Sequence, residues 1–179
     1  MLRVYLGHGA SGTAASMAPW VDGLLVRGFE AHAVSLPRGR AEAAITRFLD
    51  QVPDEPGTVL GGHSFGGRVA SLAAAGVEGT PPRHSPIAGL VCLSYPLHRP
   101  GMPETALARM AHWPAIHVPV LLQSGTSDPF ARIDLLEAAV GSLQDGRLVT
   151  WPRLGHSLAP VREQALDRIA AFLTALDGR

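Results

Sequence analysis

The residues Gly62-His63-Ser64-Phe65-Gly66 set one serine between two glycines where an apolar strand gives way to a helix. Gly57-Thr58-Val59-Leu60-Gly61 before it reads as a short buried strand, and Gly67 through Ala75 after it as a helix. In that context a G-x-S-x-G pentapeptide is a turn so tight that flanking side chains larger than hydrogen would collide. The serine is held strained at the tip. Its hydroxyl stands above the sheet, beside a helix N-terminus that favours negative charge. Such a hydroxyl attacks a carbonyl only when a base removes its proton and a third group orients the base. Downstream stand, in order, Asp128 in Gly125-Thr126-Ser127-Asp128-Pro129 and His156 in Leu154-Gly155-His156-Ser157. Each follows a predicted strand, so all three fall at the C-terminal edge where open α/β sheets build their sites.

Each of these residues also has an ordinary reading. Ser64 fits a plain turn, Asp128 a turn or helix cap before Pro129, and His156 a surface loop. Asp134 and Asp145 compete for the acid position, but one lies inside a helical pattern and the other in a turn beside Gly146. His63 adjoins the serine, yet alternation along a strand turns its side chain away. Charge developing on a carbonyl oxygen needs backbone N–H donors. Phe65, directly after the serine, is positioned to give one. The loop His8-Gly9-Ala10-Ser11-Gly12 is positioned to give the other, with Ala10 preferred and Ser11 second. Candidate pocket residues are Ser11, Phe65, Tyr95, Leu97, Met110, Trp113 and Phe130, the apolar ones equally suited to the core. Arg38 and Arg40 follow the second strand, where they would either hold an anionic substrate group or lie solvated. The stretch from Ser94 to Val118 is too short for a multi-helix lid, which predicts an open site.

The elements that must carry these residues alternate regularly. Strands are predicted at 2–6, 31–36, 57–61, 87–93, 118–123 and 147–151. Helices are predicted from Met17 to Leu25, Ala41 to Val52, Gly67 to Ala75, Thr105 to Met110, Ile133 to Val140 and Val161 to Leu176. Six strands alternating with helices imply a mainly parallel sheet covered on both faces, a three-layer α/β/α architecture in one domain over residues 1–179. A hydrophobic fraction of 46% with 17% charged residues is that of a globular chain. Fifteen basic residues balance fifteen acidic ones, so no global field points to nucleic acid or an anionic membrane. The single cysteine, Cys92, lies in an apolar run and has no internal disulfide partner. Neither a leader nor a spanning segment is visible, which predicts a cytoplasmic setting. No metal or cofactor is expected, and no oligomeric state follows.

In these stretches the chain resembles the α/β-hydrolases, and in detail the small dienelactone-hydrolase-like branch that includes the testis-expressed predicted serine hydrolases. The matching runs are His8 to Gly12, Gly61 to Arg68, Cys92 to His98 continuing through Pro103-Glu104, and Gly125 to Phe130. The resemblance implies a compact hydrolase fold and triad roles for Ser64, Asp128 and His156. Two departures stand out. Larger members have two strands before the oxyanion strand, whereas none is seen here. Dienelactone hydrolases carry a cysteine nucleophile, whereas this elbow holds a serine. The expected activity is carboxylester hydrolysis of small or exposed acyl groups through an acyl-enzyme. The alternatives are a peptidase or acyltransferase using the same triad, and a binding or scaffold protein that keeps the fold without the chemistry.

Overall fold

In the computed structural model, which describes residues 1–178, six strands form one sheet. They are β1 (Arg3–Gly7), β2 (Glu30–Val34), β3 (Thr58–His63), β4 (Ile87–Leu93), β5 (Val120–Gly125) and β6 (Gly146–Trp151). Every pairing is parallel, in the order β2-β1-β3-β4-β5-β6. Parallel strands need crossover connections, and six helices make them or close the chain: α1 (Ala18–Val26), α2 (Ala41–Leu49), α3 (Phe65–Ala74), α4 (Ala106–Met110), α5 (Ile133–Val140) and α6 (Arg162–Asp177). The predicted elements all appear, with ends displaced by a few residues, as helix and strand termini commonly are.

Period-two alternation divides the strand side chains between two cores. Val4, Leu6, Val59, Val91, Leu93 and Leu121 meet α1 and α6 on one face. Tyr5, Leu60, Leu90, Cys92, Val120 and Leu122 meet α2, α3 and α5 on the other. Strand β6, at the sheet's edge, is only half-buried, in keeping with its polar sequence. No described helix is long and apolar enough to cross a membrane.

From β1 the chain moves outward to β2, then returns to place β3 on the other side of β1. The loops after β1 and β3 therefore diverge around a crevice at the topological switch point, where ligands of open α/β sheets bind. Helix α3 leaves β3 so steeply that its first turn lies against the end of β1. A methyl group on Gly66 would overlap the Gly7 carbonyl, and one on Gly62 would meet the same oxygen. Ser64 takes φ 51°, a left-handed conformation that costs a serine energy and is held here by its surroundings.

The loop after α4 is pinned to α3 by His112. Its Nε2 donates to Ser71 Oγ at 2.8 Å, and the Ser71 hydroxyl donates to the Arg68 carbonyl at 2.8 Å. Burial first, and nearby Arg68 second, push the His112 imidazole down to about 4.

Two expectations follow. Gly66→Ala should destabilise the protein by about 3 kcal/mol through overpacking; a melting temperature equal to wild type would contradict the contact with Gly7. For His112, the unfolded chain binds the extra proton more readily, because its value there is about 6.5. Stability should therefore fall as pH drops from about 6.5 towards about 4, and His112→Gln should flatten part of that fall. Melting curves across the range check this, and identical slopes for the two proteins would refute it.

Candidate active site

The tight turn lifts Ser64 to the C-terminal edge of the sheet, and the loops after β5 and β6 meet it there. Those two loops are laced together through backbone. The Thr126 N–H donates to the Trp151 carbonyl at 3.0 Å and the Ser127 N–H to the Leu154 carbonyl at 2.9 Å. Gly125 permits this approach, since a methyl group there would overlap the Leu154 carbonyl. Asp128 and His156 are thus held in one fixed relation before any side chain is considered.

The three side chains then form a continuous chain. His156 Nδ1 lies 2.9 Å from Asp128 Oδ1 and 2.8 Å from Oδ2, and His156 Nε2 lies 2.8 Å from Ser64 Oγ. A carboxylate only accepts, so Nδ1 carries the proton and Nε2 is free to accept from the serine hydroxyl. The Asp128 side chain is fully buried and takes a further bond from the Phe130 N–H at 2.8 Å. Two rings hold the imidazole in place: Phe130 at a centroid distance of 4.4 Å and His63 at 5.2 Å. Such a chain can deprotonate a serine hydroxyl and keep the resulting imidazolium beside a carboxylate.

His63 proves closer to this chain than alternation alone suggested. Its ring does not bond Ser64, but its Nε2 donates to the His156 carbonyl at 3.0 Å. Burial is the main cause that lowers its imidazole below the usual histidine value, which favours the neutral donor. Two further buried histidines perform the same service for loops. His8 Nε2 accepts the Leu36 N–H at 3.0 Å while its Nδ1 donates to the Gly9 carbonyl at 2.7 Å. His98 Nε2 accepts the Arg132 N–H at 2.8 Å while its Nδ1 donates to the Arg99 carbonyl at 2.8 Å. The first steadies the loop after β1, the second the loop that carries Asp128. Neither was read from sequence, where a lone histidine carries no sign of its partners.

A cavity of about 750 Å³ opens beside Ser64, lined in part by Ala10, Phe65 and Phe130. Phe65 is the first residue of α3, where amides have no acceptor within the helix. Ala10 sits in a turn closed by the Gly12 N–H on the Gly9 carbonyl at 2.9 Å. Other expected wall residues lie elsewhere. Tyr95 and Leu97 are buried in the core, and the Tyr95 hydroxyl donates to the Arg109 carbonyl at 2.8 Å. Trp113 packs edge-on against Tyr95 in the same core, and Met110 is half-buried against it. The chain after β4 turns inward, tied by the His98 N–H to the Phe130 carbonyl at 2.9 Å, so its apolar residues face the protein. Ser11 and Arg38 are exposed and outside the lining, whereas Arg40 belongs to it.

A second cavity of about 550 Å³ lies by the proline-rich loop 79–86, near the starts of β4 and β5 and away from Ser64. Burial pushes the Cys92 thiol up to about 12, which keeps it a neutral, poorly reactive thiol. Among the described residues no group of three or more His, Cys, Asp or Glu is placed to hold a metal ion.

The fold recurs widely in solved structures. A monoacylglycerol lipase of Paleococcus ferrophilus superposes with a TM-score of 0.75 at 16% identity, over 97% of this chain and 94% of that one. Est1E of Butyrivibrio proteoclasticus, with ferulic acid bound, gives 0.76 at 18% identity, over 100% and 90%. A dienelactone hydrolase of Anabaena variabilis gives 0.73 at 20% identity, over 98% and 86%. These likenesses concern the fold. A family model described as an alpha/beta hydrolase domain matches residues 37–176, most of the sequence, and the chain belongs to that family.

Proposed function

We propose that the protein is a serine hydrolase that cleaves carboxylic esters of small or exposed acyl groups. The observation that carries this reading is the unbroken Ser64–His156–Asp128 chain, with contacts of 2.8–2.9 Å and a fully buried carboxylate. An aspartate out of water is retained at a cost unless something uses its charge, and the imidazole beside it does. The esterase and lipase neighbours support the class of reaction.

In this reading the Ser64 oxygen bonds to the ester carbonyl carbon as its proton passes to His156 Nε2. The carbonyl π pair moves to oxygen, where the Phe65 and Ala10 amides stabilise it. Collapse of the tetrahedral species breaks the bond to the alcohol oxygen, which leaves with the proton from His156. Water repeats the sequence on the acyl-enzyme: His156 takes its proton, the acid departs and Ser64 regains its hydrogen. Asp128 stays a carboxylate throughout and holds the imidazole in the productive tautomer.

Ser64→Ala should lower kcat/KM on p-nitrophenyl acetate by about 10⁴-fold or more while the melting temperature stays near wild type. A fluorophosphonate probe should label wild type at Ser64. Full turnover by the variant would sink the assignment, and folded protein without label would favour a scaffold.

The same site makes a statement about chain length. Exposed residues such as Arg40, Arg99 and Ala108 form part of the cavity's lining, so a long acyl chain would stay largely in water. Each methylene contributes roughly 0.8 kcal/mol only when it is buried. Esters from acetyl to butyryl should be preferred, with kcat/KM flat or falling beyond about six carbons, since added methylenes gain no buried area. A steady climb to dodecanoyl would reveal a deep apolar channel instead.

A further inference from the structure

The charged residues around Ser64 are sorted by sign. The chain as a whole balances fifteen basic against fifteen acidic residues. The cavity lining instead contains Arg40, Arg68, Arg99 and Arg109 against the single carboxylate of Glu42. They come from three segments distant in sequence: the start of α2, the first turns of α3, and the stretch from Arg99 into α4. The fold gathers them at one site.

The one carboxylate is already engaged. Glu42 Oε1 accepts from Arg68 Nη2 at 2.8 Å, and Glu42 Oε2 lies 3.7 Å from Arg40 Nε. That leaves two guanidinium groups without a carboxylate among the described residues. Arg109 Nη1 donates to the Pro96 carbonyl at 3.0 Å, and the Arg99 guanidinium has no bond or ion pair there. Arg68, only 15% exposed, also has a buried Nη1 without a hydrogen-bond partner. Desolvation, and next the charge of Arg68, hold the Arg109 guanidinium below its ordinary value, which marks like charges crowded out of water. Arginines kept merely for solubility would extend into solvent, where their mutual repulsion is screened. Here Arg68 and Arg109 are partly withdrawn from water beside Ser64, while Arg99 and Arg40 stand exposed at the rim of the same cavity. An anion placed between these forks would take charge-assisted hydrogen bonds, bidentate where geometry allows.

We propose that the cavity selects esters bearing an anionic group, a carboxylate or phosphate, bound by Arg99 and Arg109 with Arg68 and Arg40 adding to the field. The inference rests on the serine-hydrolase reading and names its substrate class. It makes the ester's charge, more than its chain length, the property recognised.

Two matched pairs test it, one for each side of the ester bond. On the acyl side, p-nitrophenyl hydrogen glutarate is compared with p-nitrophenyl pentanoate. On the alcohol side, 3-acetoxybenzoate is compared with its methyl ester. The anionic member of at least one pair should have a kcat/KM about tenfold higher or more, the value of one charge-assisted bond. The preference should shrink as salt rises and fall at least about fivefold in the double variant R99Q/R109Q, which removes both unpaired forks. A ratio of one or less in both pairs, with neutral esters turned over, removes the anion site and leaves the hydrolase standing. No turnover and no fluorophosphonate label on folded protein removes both. If Ser64 is labelled but none of the four esters reacts, millimolar glutarate or glycerol phosphate is added during labelling. Slower labelling supports the anion site, and an unchanged rate overturns it.

Discussion

The contact between the first turn of α3 and the end of β1 is the constraint on which the rest of the site depends. Gly66 rests on the Gly7 carbonyl with no space for a methyl group, and Gly62 approaches the same oxygen. Because Gly7 pairs in register with Gly62, the strand before the serine and the strand before the 8–12 loop end side by side. That closeness puts Ala10 and Phe65 on one cavity wall with Ser64. Anything larger than hydrogen at Gly66 would push α3 away and move the serine with it. The strained φ of Ser64 is thus one part of a locally over-determined packing, in which neighbouring backbone leaves the turn no relaxed alternative.

Backbone supplies the second layer of control. The acid and histidine loops are joined by main-chain hydrogen bonds, so the Asp128–His156 distance is set by sheet geometry rather than by flexible side chains. Histidines supply the third layer. His8, His63 and His98 each bond main-chain groups of the loops that frame Ser64. An imidazole suits the task because, while neutral, it offers one donor and one acceptor on a rigid ring. Two peptide groups that cannot reach each other can be linked through it.

Much of this was legible in the sequence because the motifs there encode backbone geometry. Gly62 and Gly66 announce a turn that admits no other residue, and apolar alternation announces the strands that end at Ser64, Asp128 and His156. Burial direction was less legible. Tyr95 and Leu97 have the composition of a pocket wall and of a core alike, and only the inward turn after β4 separates the two. Arg68, Arg99 and Arg109 were illegible for a different reason. Each is an ordinary cation in its own segment, and their grouping exists only after α2, α3 and α4 are folded around one crevice. His63 shows the limit of parity arguments: alternation keeps its ring off Ser64, but says nothing of the His156 carbonyl that it meets.

An open site must find binding energy that does not require enclosure. Hydrophobic attraction scales with the apolar area removed from water, and a shallow wall removes little. Coulombic attraction reaches across solvent and strengthens where the local dielectric falls: two unit charges about 4 Å apart attract by about 1 kcal/mol in water and about 4 kcal/mol near a protein surface. Partly buried guanidinium groups such as Arg68 and Arg109 lie nearer the second regime than an arginine reaching into solvent does. Their fixed charge would also draw an anionic ester toward the crevice before contact. If the proposed ester cleavage takes place there, the same positive field would also stabilise charge on the carbonyl oxygen, adding to the amide donors proposed at Phe65 and Ala10. In the proposed reading, substrate capture and transition-state stabilisation would then draw on one charge distribution.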